Sequence, residues 1–198
     1  LGGQEQYHGT LVDQSGQPRP FFEEAQQLAR EFRSVSGLLA GSVIKSPVAM
    51  LNCYDSRWSI GWQPHHNAFD YVAYFNLYYS SLASRNVNVD VLSADEPLDG
   101  YRLVIAPALL ILDEKRIAQL KEFSKHGGYL ILTLRSGMKD EFNALLPARQ
   151  PGPLAELAGV EVEDYYALLD SIPVKGNLFE GTSSLWAERL KLLDPKLT

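Results

Sequence analysis

The stretch from Leu98 to Arg135 constrains the fold more than any other part of the chain. It reads as strand, helix, strand. Leu103 to Ala106 is a short continuous apolar run, the pattern of a strand covered on both faces, and Pro107 blocks its extension. Asp113 offers an N-cap, and Ile117, Leu120 and Phe123 give one apolar helical stripe. Gly127 and Gly128 end that helix, because glycine takes the left-handed cap conformation without steric cost. Tyr129 to Leu134 is a second buried strand. The crossover is too long for a hairpin, so the two strands are expected to be parallel and joined right-handed.

The flanking sequence extends this unit. Val48 to Cys53 is another buried strand, and Val87 to Leu92 alternates as a further one. Between them lies an aromatic-rich loop, Tyr54 to His66. A helix follows, capped by Asn67 and running to about Ser84, with Ala68, Val72, Phe75, Tyr79 and Leu82 as its core face. Tyr71, Tyr74 and Tyr78 form a second stripe beside that face, so the helix is expected to be covered on more than one side. The order strand–helix–strand–strand–helix–strand predicts a doubly wound, flavodoxin-like parallel sheet with helices on both faces. After Leu134 the reading weakens. Met138 to Gln150 is loop-like, Pro153 to Leu157 is a short helix ended by Gly159, and Val160 starts a strand. Leu185 to Leu193 fits strand or helix equally.

The front of the chain is different. Asp13 to Pro18 is a turn, and Phe21, Ala25, Leu28, Phe32 and Val35 mark an amphipathic helix over about residues 20–36. Gly37 to Ser46 reads as a linker. Residues 1–40 cannot form a core alone, so they belong to another domain or append to the next one. The missing initiator methionine fits a piece of a longer protein.

Composition narrows the function classes. The 198 residues carry a net charge of −6 with no basic stripe, which argues against nucleic acid as a partner. No apolar run approaches the roughly 20 residues that span a bilayer, and residues 1–5 carry neither the basic nor the apolar region of a signal peptide. The single cysteine, Cys53, excludes an internal disulfide and a cysteine zinc cluster; a cytoplasmic setting is expected.

The candidate chemistry is thin. A nucleophile elbow needs glycines flanking its serine or cysteine. Ser136 lacks them, and no histidine follows it to act as base. Cys53 reads as a small buried residue. His65 and His66 are adjacent, point different ways and lack a third metal ligand. No phosphate-binding glycine loop is present. No catalytic residue, metal site or cofactor is therefore expected. Trp58, Trp62 and the Tyr71, Tyr74, Tyr78 stripe suit core or interface packing, with stacking on a sugar as the other use. Glu5 and His8 stand where a strand ends before a turn and a helix, as at the finish of a β/α barrel, whose sites lie at the C-terminal ends of the strands.

Together these residues carry a resemblance. The whole chain resembles the family 42 glycoside hydrolases, bacterial β-galactosidases. Glu5-Gln-Tyr-His8 and the following turn and helix look like the last βα unit of that family's catalytic barrel. Gln63-Pro64-His65, Phe69-Asp70-Tyr71, Asn88 to Val91, Leu98 to Tyr101, Val104 to Ala108, Arg135-Ser136-Gly137, Lys139-Asp140-Glu141 and Pro151 to Val160 look like its trimerisation domain. The resemblance implies a barrel end at residues 1–40 and a trimerisation domain at 41–198, incomplete at its C-terminus. It implies a fold similar to class I glutamine amidotransferases without their catalytic cysteine. It also implies a parent enzyme that hydrolyses terminal β-D-galactosides with retention, through two glutamates about 5–5.5 Å apart that lie outside this chain. Glu5 and His8 match the family's galactose-binding residues. The expected partners are further copies of the chain, as a homotrimer, and a galactoside in the full-length enzyme. A sugar-binding module without catalysis, or an amidotransferase-like hydrolase built on Cys53, are the alternatives from other classes.

Overall fold

A computed structural model describes residues 10–177 and 179–193. The chain divides into two compact units, Leu1–Ile44 and Lys45–Thr198. In the first, Asp13 organises the predicted turn: its carboxylate accepts from the Ser15 and Gln17 backbone N–H groups, at 2.8 and 2.9 Å. Helix α1 then runs Phe22–Leu39 and buries none of its residues. It extends through Gly37 to Leu39, which were expected to be linker. The expected strand end at Glu5 and His8 lies outside the described residues.

The second unit is built on a four-stranded parallel sheet. Its strands are β1 (Val48–Asn52), β2 (Val89–Ser93), β3 (Leu103–Ala106) and β4 (Tyr129–Leu132), in the order β2-β1-β3-β4. Helices α2 (Tyr54–Trp62), α3 (Tyr71–Ala83) and α4 (Glu114–Lys125) connect them. Side chains alternate across a strand, and the two faces of this sheet accordingly feed two separate cores. Ala49, Leu51, Val104 and Ala106 meet Leu120, Ile117 and Phe123 of α4 on one face. Val48, Met50 and Ile105 meet Ile60 of α2 and Tyr71 and Phe75 of α3 on the other. The mixed α/β architecture with helices over a central parallel sheet is the one the sequence order predicts.

Four local expectations need correction. The aromatic-rich loop is helix α2: Cys53 caps it, its sulfur accepting the Ser56 N–H at 3.4 Å. Helix α3 starts at Tyr71, not Asn67, because Asp70 caps it by accepting the Ala73 N–H at 2.6 Å. The tyrosine stripe is the inward face of α3. Tyr71 and Phe75 are buried and Tyr74 and Tyr78 pack on the core, while Val72 and Tyr79 are about two-fifths exposed, at 39% and 40%. Strand β4 is an edge strand, with Tyr129 70% and Ile131 43% exposed instead of buried. Among the described residues only β3 pairs with it.

Beyond the sheet, a turn at Gly152–Leu154 and the short α5 (Ala155–Ala158) lead into two hairpin-like pairs. Strand β5 (Val160–Ala167) pairs antiparallel with β8 (Trp186–Leu192), and β6 (Ile172–Lys175) with β7 (Glu180–Ser183). The ambiguous segment Leu185 to Leu193 is thus mostly strand.

Candidate functional site

In an open α/β sheet, ligands bind in the crevice beyond the carboxyl ends of the strands, where the strand order reverses. Here that point lies between β1 and β3. The chain fills it with its own residues. Pro107 to Leu112 follow β3 and are all buried. The Gly137 N–H donates to the Leu109 carbonyl (2.9 Å) and the Met138 N–H to that of Leu110 (3.0 Å). The Leu112 N–H donates to the Lys139 carbonyl (3.0 Å). Ser56 caps the plug by accepting the Ile111 N–H at 3.0 Å. Gly137 has a positive φ of 63°, and a Cβ there would stand 2.2 Å from the Pro151 carbonyl oxygen, so only glycine fits this approach.

The nucleophile candidates fit this filled state. Cys53 is 2% exposed, and its sulfur accepts the Ser56 backbone N–H. The Tyr71 hydroxyl accepts the Cys53 N–H at 3.4 Å, and burial pushes its pKa up to about 12. Ser136 is buried and donates its hydroxyl hydrogen to the Thr133 carbonyl at 2.7 Å. Among the described residues, no group of three or more His, Cys, Asp and Glu could hold a metal ion. No helix among them is long and apolar enough to cross a membrane.

Next to the plug lies a polar cluster that no local signal announced. Arg135 is 1% exposed. Its guanidinium donates to the Gln63 carbonyl (3.0 Å), the Pro64 carbonyl (3.1 Å) and His65 Nδ1 (2.9 Å). The same group lies over the rings of Phe69 and Trp186, 5.7 and 5.2 Å from their centroids. Its backbone N–H donates to Glu188 at 2.8 Å. Burial pushes the Arg135 pKa down to about 10, so it stays charged at neutral pH. Lys139, also buried, donates to Gln63 Oε1 (2.8 Å), Asn143 Oδ1 (2.9 Å) and Ser59 Oγ (3.3 Å). Burial first, and then Arg135, lower its pKa. Two buried cations therefore hold the end of α2 and the loop after it. A helix C-terminus carries partial negative charge, which favours cations there.

The five aromatic candidates separate into two groups. Tyr71, Tyr74 and Tyr78 point into the chain's own core; the Tyr74 and Tyr78 hydroxyls share a 2.7 Å hydrogen bond. Trp58 and Trp62 point outward from α2, 60% and 87% exposed, in line with Tyr54, itself 55% exposed. This i, i+4, i+8 row forms one apolar strip on the helix. Tyr54 and Trp58 are 5.7 Å apart, and Arg57 lies over the Tyr54 ring. Glu5 and His8 lie outside the described residues, so their arrangement is not part of this geometry. The Arg135 cluster was missed as a site, although its pieces Gln63-Pro64-His65, Phe69, Arg135 and Lys139 are among those that carry the resemblance.

Known proteins share this sequence and this fold. Residues 46–197 match the family model described as the beta-galactosidase trimerisation domain. The chain is 38% identical over 168 residues to the β-galactosidase Bga of Halorubrum lacusprofundi, covering 85% of this chain and 24% of that protein. It is also similar in structure to the polyextremophilic β-galactosidase from that Antarctic haloarchaeon, with a TM-score of 0.81 at 35% identity over 98% of this chain and 29% of the other. The β-galactosidase of the psychrophilic Marinomonas ef1 superposes with a TM-score of 0.82 at 28% identity, over 96% of this chain and 30% of that one. The chain thus spans about a quarter of the length of the curated relatives it matches, 24% for the first and 29% for another, BgaB of Geobacillus.

Proposed function

This chain belongs to the β-galactosidase trimerisation domain family of the family 42 glycoside hydrolases, and on that premise we propose that it serves self-association, as a homotrimer, within an enzyme that hydrolyses terminal β-D-galactosides with retention. The carrying observation is the pairing of a plugged ligand crevice with an exposed Tyr54–Trp58–Trp62 strip. The place where a related sheet would bind a ligand is occupied by the chain itself. The place where it exposes aromatic surface suits a subunit contact, since tryptophan dominates interface cores. In this reading the chain alone turns over no galactoside. The unit resembles an amidotransferase-like fold that has lost its nucleophile, and it works in the cytoplasm. Trp58→Glu with Trp62→Glu in the full-length protein should shift its light-scattering mass from trimer towards monomer. The expected cost is about 2 kcal/mol or more per tryptophan. A trimer unchanged by both would overturn the assignment of this surface.

Residues 1–40 form the end of the catalytic barrel in this reading, and Glu5 and His8 bind galactose there. Glu5→Gln in the full-length enzyme should then lower kcat/KM by tenfold or more, on the order of 1–3 kcal/mol, because a carboxylate that accepts from sugar hydroxyls is replaced by a half-donor amide. Unaltered kinetics would remove Glu5 from the sugar site.

A further inference from the structure

Trp62 and His65 lie on one short segment. Trp62 ends α2, Gln63 is the cap residue, and the Gln63 N–H still donates to the Ser59 carbonyl at 3.0 Å. Four hydrogen bonds from Arg135 and Lys139 hold this segment from below. Three of those bonds end on carbonyl oxygens, which accept at any pH. The fourth ends on an imidazole nitrogen.

An arginine can only donate, so the bond between Arg135 and His65 requires a bare lone pair on Nδ1. That fixes His65 as the neutral tautomer with its proton on Nε2. Once protonated, Nδ1 becomes a donor facing a donor, and two cations stand within 2.9 Å. His65 is exposed enough to take up a proton from solvent. It is also held edge-on against Tyr165 and Trp186, ring centroids 6.4 and 5.8 Å away, so a charged ring that turns out must leave this aromatic packing.

Resting on the self-association reading above, we propose that His65 is an acid-sensitive catch on the subunit surface: its protonation releases the Gln63–His65 turn from Arg135 and so loosens the end of α2 that carries Trp62. The groups facing His65 are known from each packed element. Arg135 at the end of β4 and Lys139 in the next loop are cations and oppose its charging. Tyr165 on β5 presents its ring. Glu188 on β8 is engaged with the Arg135 backbone N–H and the Trp186 indole N–H. Burial, then Arg135, set the imidazole below its ordinary value of 6.5, with Lys139 adding to this and the Gln63 carbonyl working the other way. The sign follows. A histidine pKa lowered by assembly or folding supplies stability that is full above about 6.5 and is lost as pH falls through the folded value.

The discriminating variant is His65→Asn. Asparagine places an amide oxygen near the Nδ1 position, does not titrate, and tolerates the left-handed backbone found here, φ 63°. Two measurements on the full-length protein at pH 7.5 and pH 5 decide the matter. Hydrogen exchange of residues 59–66, compared at the same pH, should be about tenfold faster in the native protein than in His65→Asn at pH 5 and equal at pH 7.5. Light scattering should show the native trimer weakening by about the same factor at pH 5 while the variant holds. Equal exchange in both proteins at pH 5 overturns the catch. Faster exchange with an unchanged trimer overturns its coupling to assembly. A monomer at pH 7.5 in both proteins would defeat the self-association reading instead, and the exchange comparison would still judge the catch.

Discussion

Two arginines are buried in the sheet-bearing unit, and their surroundings are opposites. Arg116, on the first turn of α4, is ringed by carboxylates: Asp55 and Asp95 at 3.0 Å and Asp113 at 3.6 Å. Arg135 has carbonyls, an imidazole and two aromatic rings instead. The first is an electrostatic staple between the starts of α2 and α4 and the turn after β2. Its acids remain wet, with the Asp55 and Asp95 side chains 50% and 42% exposed. The second is a geometric peg, whose flat fork fits fixed acceptors between rings. Arg116 is matched to the charge of its partners, and Arg135 to the fixed positions of its acceptors.

That contrast can be broken by substitution. Arg135→Met should be the most damaging, at about 3 kcal/mol, because it removes one buried fork that donates to the Gln63 and Pro64 carbonyls and to His65 at once. Urea unfolding would measure it, and Arg135→Lys should recover little, since an ammonium cannot fork to two carbonyls and an imidazole while stacking. Full recovery by lysine would mean that charge alone matters and that the two sites are alike. Arg116→Met should cost less, about 1 kcal/mol, because the released aspartates rehydrate. The same melts in 1 M salt should shrink the Arg116 effect and leave the Arg135 effect unchanged. The smallest effect is in acid. The hydrogen bond from Arg116 holds the Asp95 carboxyl below its ordinary 3.8. Its depressed pKa gives stability that is present above that value and lost as pH falls through the folded one. The slope near pH 3 should be shallower in Arg116→Met, and an identical slope would detach Asp95 from the staple.

The same contrast explains what was legible in the sequence. The β3–α4–β4 unit could be read because its information is local: an apolar run, an Asp113 cap that accepts the Arg116 N–H at 2.7 Å, and a glycine stop with φ 86° at Gly127. Helix α2 could not, because its outward positions hold Trp58 and Trp62, and Gly61 is a poor helix former. The stripes of α3 were read in the wrong order. Tyrosine is intermediate in burial preference, so Val72 looked like a better core residue than Tyr71 and Tyr74, while Phe75 and Leu82 of the expected face do pack on the core. The Arg135 cluster had no local mark at all. Its partners lie 70 to 72 residues away in the chain. Arg135-Ser136-Gly137 alone looks like any polar strand end. The cluster shows only when the fold brings the loop after α2 beside the end of β4.

The edge position of β4 has a practical consequence for every assembly measurement proposed above. Among the described residues only β3 pairs with it, and Tyr129 and Ile131 offer apolar surface beside its outer edge. Such an edge recruits any extended chain, including an identical one. Two copies of this edge that pair with each other form a closed, isologous contact. Mass that stops at two therefore reports edge pairing. Mass that stops at three reports the domain's own symmetry. Lys in place of Ile131, on the exposed side of the edge, should silence the former and spare the latter.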